Sequence, residues 1–194
     1  MGIEAKKLKY EILPGLSEKQ LREHHDVLYV GYVNKLAEIR EIHKAADKSK
    51  ANATFSDFRE LKLEESFALD AVILHEYYFD NLGGNSIPSA FIESRLARDF
   101  GSFESWQEDL IASGLSARGW VVLAEDIDGT LRHFVCDTHN QGGIWGYRPI
   151  LVLDVYEHAY FIDYGTNRKE YLNAFLKNLD WKVVEDRLRI ISSR

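Results

Sequence analysis

The chain has 194 residues, 45% hydrophobic and 28% charged, with a formal net charge of −7 at pH 7. A chain of that length buries a self-sufficient core, and the composition excludes disorder as a whole-chain state. An acidic chain with no polybasic block lacks the footprint of a nucleic-acid binder, and no stretch approaches the roughly 18 apolar residues of a membrane span. The single cysteine, Cys136, cannot form an internal disulfide, and the residues from Met1 to Lys7 lead into no apolar signal core, so a cytoplasmic setting is expected.

In chain order, Ser17-Glu18-Lys19-Gln20 has the capping-box form and predicts a helix from about Glu18. His24, Leu28, Tyr32 and Leu36 recur every four residues and share one face of it. A histidine on such a stripe is more often a satisfied core residue than a ligand. Residues 44 to 58 are polar and weakly periodic, which predicts a surface connection to a second, antiparallel helix over about 60 to 79. There Phe67, Ala71, His75 and Tyr78 or Phe79 share a face, so each helix carries one imidazole on its apolar side. The Gly- and Pro-containing run from Asn81 to Pro88 predicts a boundary between a helical hairpin domain, 1–84, and a second domain, 85–194.

Beyond it, 89 to 100 and 102 to 114 predict two more helices. Residues 119 to 124 and 130 to 136 predict strands joined by the turn Asp126-Ile127-Asp128-Gly129. A loop over 139 to 147 precedes a third strand, 149 to 153, and the chain closes with helical segments around 169 to 179 and 182 to 188. After the third strand comes Asp154-Val155-Tyr156-Glu157-His158-Ala159-Tyr160. A carboxylate and an imidazole four residues apart, where a strand gives way to a helix, have metal-ligand spacing. Alone, such a pair is more often a cap or a salt bridge. With His24 and His75 it makes three imidazoles and one carboxylate, a donor set suited to Mn or Fe rather than to Mg or Ca, with Zn chemically possible.

At this point the chain resembles the iron/manganese superoxide dismutase family. The resemblance is carried in order by Glu23-His24-His25 with Tyr32-Val33-Asn34, His75-Glu76-Tyr77-Tyr78-Phe79, Arg98-Asp99-Phe100-Gly101, Gly119-Trp120, Asn140-Gln141, the 154–160 stretch, and Arg168 with Tyr171-Leu172. It implies an α+β fold, with an N-terminal antiparallel helical hairpin followed by an α/β domain around a three-stranded antiparallel sheet. It further implies one Mn or Fe ion per chain on His24, His75, Asp154 and His158. Superoxide is the implied substrate, converted to O₂ and hydrogen peroxide. Tyr32 and Gln141 are implied to hydrogen-bond around the metal's solvent ligand, with Trp120 as a wall of the pocket. Iron-type members usually supply the pocket Gln from the position of Ala71, so a small residue there with Gln141 further on favours Mn. A homodimer is implied, in which Glu157 of one subunit reaches His158 of the other and Tyr160 lies close by.

The chain departs from the family at a pair of positions. Leu28 stands where a His is usual and Phe161 where a Tyr is usual, the two normally hydrogen-bonded across the dimer. Replacing both partners together by apolar groups can be nearly neutral, whereas losing one would strand a buried polar group at about 1 to 3 kcal/mol. The same departure supports a rival reading, a family-like metal-binding protein with weak or no dismutase activity. A non-haem iron oxygenase is disfavoured, because that chemistry generally uses two His and one carboxylate with open positions.

Overall fold

The computed structural model describes residues 3–84 and 87–192. Met1-Gly2, and Asn85-Ser86 at the expected 84/85 boundary, lie outside the described residues.

An extended N-terminal strap leads into α1 (Glu18–Arg22), which starts where the capping box predicts: the Ser17 side chain accepts from the Gln20 N–H. The helix then runs through π-helical turns over Glu23–Tyr29 into α2 (Val30–Ala45). In an unbroken α-helix, His24 and Tyr32 would diverge by about 80°. The wider π turns take up that excess, and both side chains face α3 (Asp57–Asp80), where each ring meets His75. Ser56 caps α3 by accepting from the Arg59 N–H, so the helix begins earlier than the expected residue 60. Helices α2 and α3 pack against each other as the hairpin.

The second half begins with α4 (Ala90–Phe100) and α5 (Phe103–Ser116). Strands β1 (Trp120–Glu125), β2 (Leu131–Cys136) and β3 (Pro149–Asp154) form one antiparallel sheet in the order β2-β1-β3. The chain ends with α6 (Phe161–Tyr164), α7 (Arg168–Lys177) and α8 (Trp181–Ser192). The expected helix after the third strand is first a single 3₁₀ turn over Glu157–Ala159, so Asp154 ends a strand and His158 sits in a tight turn.

Central β1 and edge strand β3 read as nearly continuous apolar runs because helices pack over them, α5 against β1 and α3 and α8 against β3. Buried Asn81 joins the hairpin to the sheet. Its amide donates to the Val152 carbonyl (3.2 Å) and its side-chain oxygen accepts from the Val152 N–H (2.9 Å). One buried cluster contains Leu36 and Tyr78 from the hairpin together with Val121, Leu151 and Phe175 from the second half. Among the described residues no helix is long and apolar enough to cross a membrane.

Candidate metal centre

Four side chains from four parts of the chain converge where the hairpin meets the end of β3. His24 comes from the π-helical turns, His75 from α3, Asp154 from the last position of β3 and His158 from the 3₁₀ turn. One donor atom from each lies within 4.8 Å of all the others. Asp154 Oδ2 stands 3.0 Å from His24 Nε2, 3.2 Å from His158 Nε2 and 3.7 Å from His75 Nε2. His24, His75 and Asp154 are buried, and only the His158 side chain, 25% exposed, opens toward the surface.

Three of the four donors are held by further contacts. His75 Nδ1 donates to the Ala71 carbonyl (2.7 Å), which fixes the tautomer and leaves the Nε2 lone pair aimed into the cluster. That Nε2 is buried with no hydrogen-bond partner. An orphaned, buried imidazole nitrogen among two more imidazoles and a carboxylate fits a cation and is costly without one. The second oxygen of Asp154 accepts from the Tyr156 N–H (2.9 Å), and its carbonyl accepts from the Tyr171 hydroxyl (2.6 Å). The 158–162 turn is clamped by buried Gln20, whose amide donates to the His158 carbonyl (2.6 Å) and whose side-chain oxygen accepts from the Ile162 N–H (3.1 Å).

Electrostatics follows from this burial. Burial pulls the His24 and His75 imidazoles below their ordinary value, His75 further, so both are neutral and ready to ligate. At His158 burial acts the same way, but the Asp154 carboxylate beside it outweighs burial and raises the imidazole. Burial would raise Asp154, yet His158 and His24 together hold it well below the usual carboxylate range. The carboxylate is therefore charged where three imidazoles meet.

Around the donors lies an aromatic wall of Tyr78, Phe79, Trp120 and Tyr156, the last stacked on His158 at 5.1 Å. Trp120 donates its indole N–H to His139 Nδ1 (3.0 Å), and His139 Nε2 lies 2.9 Å from the Tyr32 hydroxyl. An indole can only donate, so His139 Nδ1 accepts and Nε2 carries the proton that goes to Tyr32. His139 is buried and pushed down to about 4, chiefly by burial, so this neutral tautomer persists at physiological pH.

Tyr32 and Trp120 thus stand beside the donor cluster, and Gln141 does not. It is exposed, in the turn where its N–H donates to the Thr138 carbonyl, two residues past the position facing Trp120. His139 occupies that position, so the manganese-type placement of a Gln is not met. The antiparallel hairpin holds the signal that points to His139: the turn at 126–129 sets Trp120 opposite Cys136, which brings the residues just after Cys136 alongside Trp120. Gln20 carried no comparable signal, since capping accounts for its place in the sequence. Glu157 is exposed. Tyr160 is buried, stacked on Tyr171, and accepts from Arg168 Nε (3.0 Å). Leu28 is half-buried and Phe161 is 47% exposed. Arg118 is exposed and lies 3.9 Å from Asp137.

A helical hairpin and a small sheet that focus three imidazoles and one carboxylate on one buried point define a mononuclear metalloprotein. Residues 88–187 match the family model for iron/manganese superoxide dismutases, C-terminal domain. The chain is 41% identical to "Superoxide dismutase [Fe]" of Aquifex aeolicus over 186 residues, covering 93% of this chain and 87% of that one. It is 36% identical to "Superoxide dismutase [Mn] 2" of Haloferax volcanii over 196 residues, 93% and 92% of the two chains. It is also 37% identical to "Superoxide dismutase [Fe]" of Cupriavidus metallidurans over 174 residues, 88% and 87%. The chain belongs to the iron/manganese superoxide dismutase family.

Proposed function

We propose that this chain is a superoxide dismutase, converting two superoxide radicals and two protons to O₂ and hydrogen peroxide. Its metal, iron or manganese, is held by His24 Nε2, His75 Nε2, His158 Nε2 and Asp154 Oδ2. The observation that carries this reading is the Trp120–His139–Tyr32 chain beside a complete donor set. The ion supplies one-electron exchange with superoxide, and every other requirement falls to the protein. Burial raises the Tyr32 hydroxyl, keeping it protonated at neutral pH. Because His139 donates to the Tyr32 oxygen, the Tyr32 proton is not spent on His139 and is available to the pocket. His139 therefore positions a proton donor, and Trp120 fixes the tautomer that lets it do so. The aromatic wall keeps bulk water from the donors, which strengthens each polar contact among them.

A protein that only stores metal has no use for a tautomer-locked donor chain, so His139 and Tyr32 favour turnover over mere binding. With Gln141 outside the pocket, iron and manganese are proposed on equal terms, one ion per chain. A homodimer is proposed through the face that carries Glu157, Phe161 and half-buried Leu28. There apolar Phe161 and Ile162, both nearly half exposed, lie beside the opening at His158. The cytoplasm is the proposed compartment, in keeping with the one unpaired cysteine.

The test is His139→Ala in metal-loaded protein. Metal content should equal that of the wild type, while the rate constant for superoxide decay falls by roughly ten- to a hundred-fold, the usual cost of removing a partner that orients a metal site. An unchanged rate would refute the assigned role of His139.

A further inference from the structure

The His158 carbonyl and the Ile162 N–H stand four residues apart, the spacing of two groups that bond to each other in an α-helix. Here the side-chain amide of Gln20 takes both. Its N–H donates to the His158 carbonyl (2.6 Å), and its oxygen accepts from the Ile162 N–H (3.1 Å). A carbonyl only accepts and a backbone N–H only donates, so the amide has a single possible orientation. Gln20 is 1% exposed, which keeps bulk water from competing for either bond.

The consequence lies in the backbone. Residues 157–164 form two short pieces and not one helix, a 3₁₀ turn over Glu157–Ala159 and then α6. They part at Tyr160, where φ −148 and ψ −13 lie away from helical values. A side chain inserted into the helical hydrogen-bond ladder is a known cause of such a break. His158 stands just before it. His75 rises from the 24-residue α3 and Asp154 from the end of a paired strand, whereas His158 rests on a turn of three residues.

We propose that Gln20 is a positioning residue of the metal centre. Wedged between the His158 carbonyl and the Ile162 N–H, it prevents the turn from closing into a helix and so holds the His158 imidazole among the other donors. This rests on the metal-site reading above. Gln20 and His24 lie four residues apart on one continuous run of helix, so the segment that supplies one donor also sets the place of another. Without the amide, the two backbone groups are free to pair with each other, and neither is left unsatisfied. Losing Gln20 therefore harms the metal site more than the fold, the reverse of what a merely stabilising contact would do.

The experiment compares wild type with Gln20→Met, of similar volume, and Gln20→Ala, which cannot overpack. Asp163→Ala is the control: the Asp163 carboxylate accepts from the Ser17 N–H (2.7 Å), tying the same two segments through a bond that involves neither His158 nor Ile162. The readouts are the Mn(II) dissociation constant by chelator competition, the electron paramagnetic resonance line shape of bound Mn(II), and the melting temperature of metal-free protein. Both Gln20 variants should bind Mn(II) roughly ten- to a hundred-fold more weakly, the usual effect of losing a partner that orients a ligand. Their line shape should change, metal-free Gln20→Met should melt close to the wild type, and Asp163→Ala should bind as the wild type does. Gln20 variants with wild-type affinity and line shape, or with no greater loss than Asp163→Ala, would overturn the proposal. So would a Gln20→Met protein that is unfolded without metal, since its backbone groups have then failed to pair. A wild type that binds no ion would overturn the metal-site reading itself, and the proposal with it.

Discussion

At the scale of single residues, the pocket depends on which nitrogen carries which proton. His75 gives its Nδ1 proton to Ala71 and offers Nε2 inward, whereas His139 accepts at Nδ1 from Trp120 and donates from Nε2 to Tyr32. His139 also makes a prediction for stability against pH. Its folded value of about 4 lies below the ordinary 6.5. Above pH 6.5 it is neutral both folded and unfolded. As pH falls from 6.5 toward 4, the unfolded chain takes up a proton that the folded chain refuses, so stability is lost through that window. His139→Gln offers a non-titrating oxygen to Trp120 and an N–H to Tyr32, and removes this loss. Thermal melts across the window should therefore fall less steeply for the variant, and parallel slopes would mean that His139 is not the neutral group described. Asp154 and His158 were legible in the sequence as candidate donors because their spacing of four survives in the fold, and His24 and His75 because each is the imidazole on an apolar helix stripe. His139 was not, because the neighbouring Asn140-Gln141 matches the family pattern, and the register that sets Trp120 opposite Cys136 exists only once the hairpin pairs.

At the scale of elements, two departures from regular structure place the site. The π-helical turns over Glu23–Tyr29 swing His24 and Tyr32 onto one face, and no periodicity in the sequence announces them, since a spacing of four reads simply as an α-helix. The other departure is the turn after β2. Gly142 has φ +89, and a Cβ there would lie 2.4 Å from the Val135 carbonyl oxygen, so both conformation and space demand glycine. Gly142→Ala should cost more than about 1 kcal/mol in urea unfolding, since it meets strain and a backbone clash together. It should also disturb His139, three residues earlier on the same loop, and lower turnover with metal still bound. A variant as stable and as active as wild type would show that the loop relaxes freely. Helix starts were legible where a hydroxyl caps them, as at Ser17. At Ser56 the cap sits inside a polar connection that hides it, and the helix was expected too late.

For the whole molecule, the hairpin, sheet and closing helices could be drawn from hydrophobic period and turn chemistry, but their assembly could not. Periodicity yields helices first and three strands later, and the family resemblance supplied the topology that joins them. Asn81 shows why local patterns fall short, for its hydrogen bonds to Val152 span 71 residues and tie the hairpin to the strand that ends in Asp154. The four donors meet only when that docking is complete, so metal binding and global folding are linked, and loaded protein should melt higher than metal-free protein. Leu28 and Phe161 are apolar and partly exposed on the outer face, while the inner chain through His139 and Tyr32 is intact.

The central claim is that this inner chain, with its donor set, suffices for catalysis. The most direct test follows superoxide decay by stopped flow in protein loaded separately with iron and with manganese to one ion per chain. The account predicts fast, catalytic decay with at least one of the two metals. Decay no faster than the spontaneous reaction, with both forms fully loaded, would contradict it and leave a metal-binding member of the family without the activity.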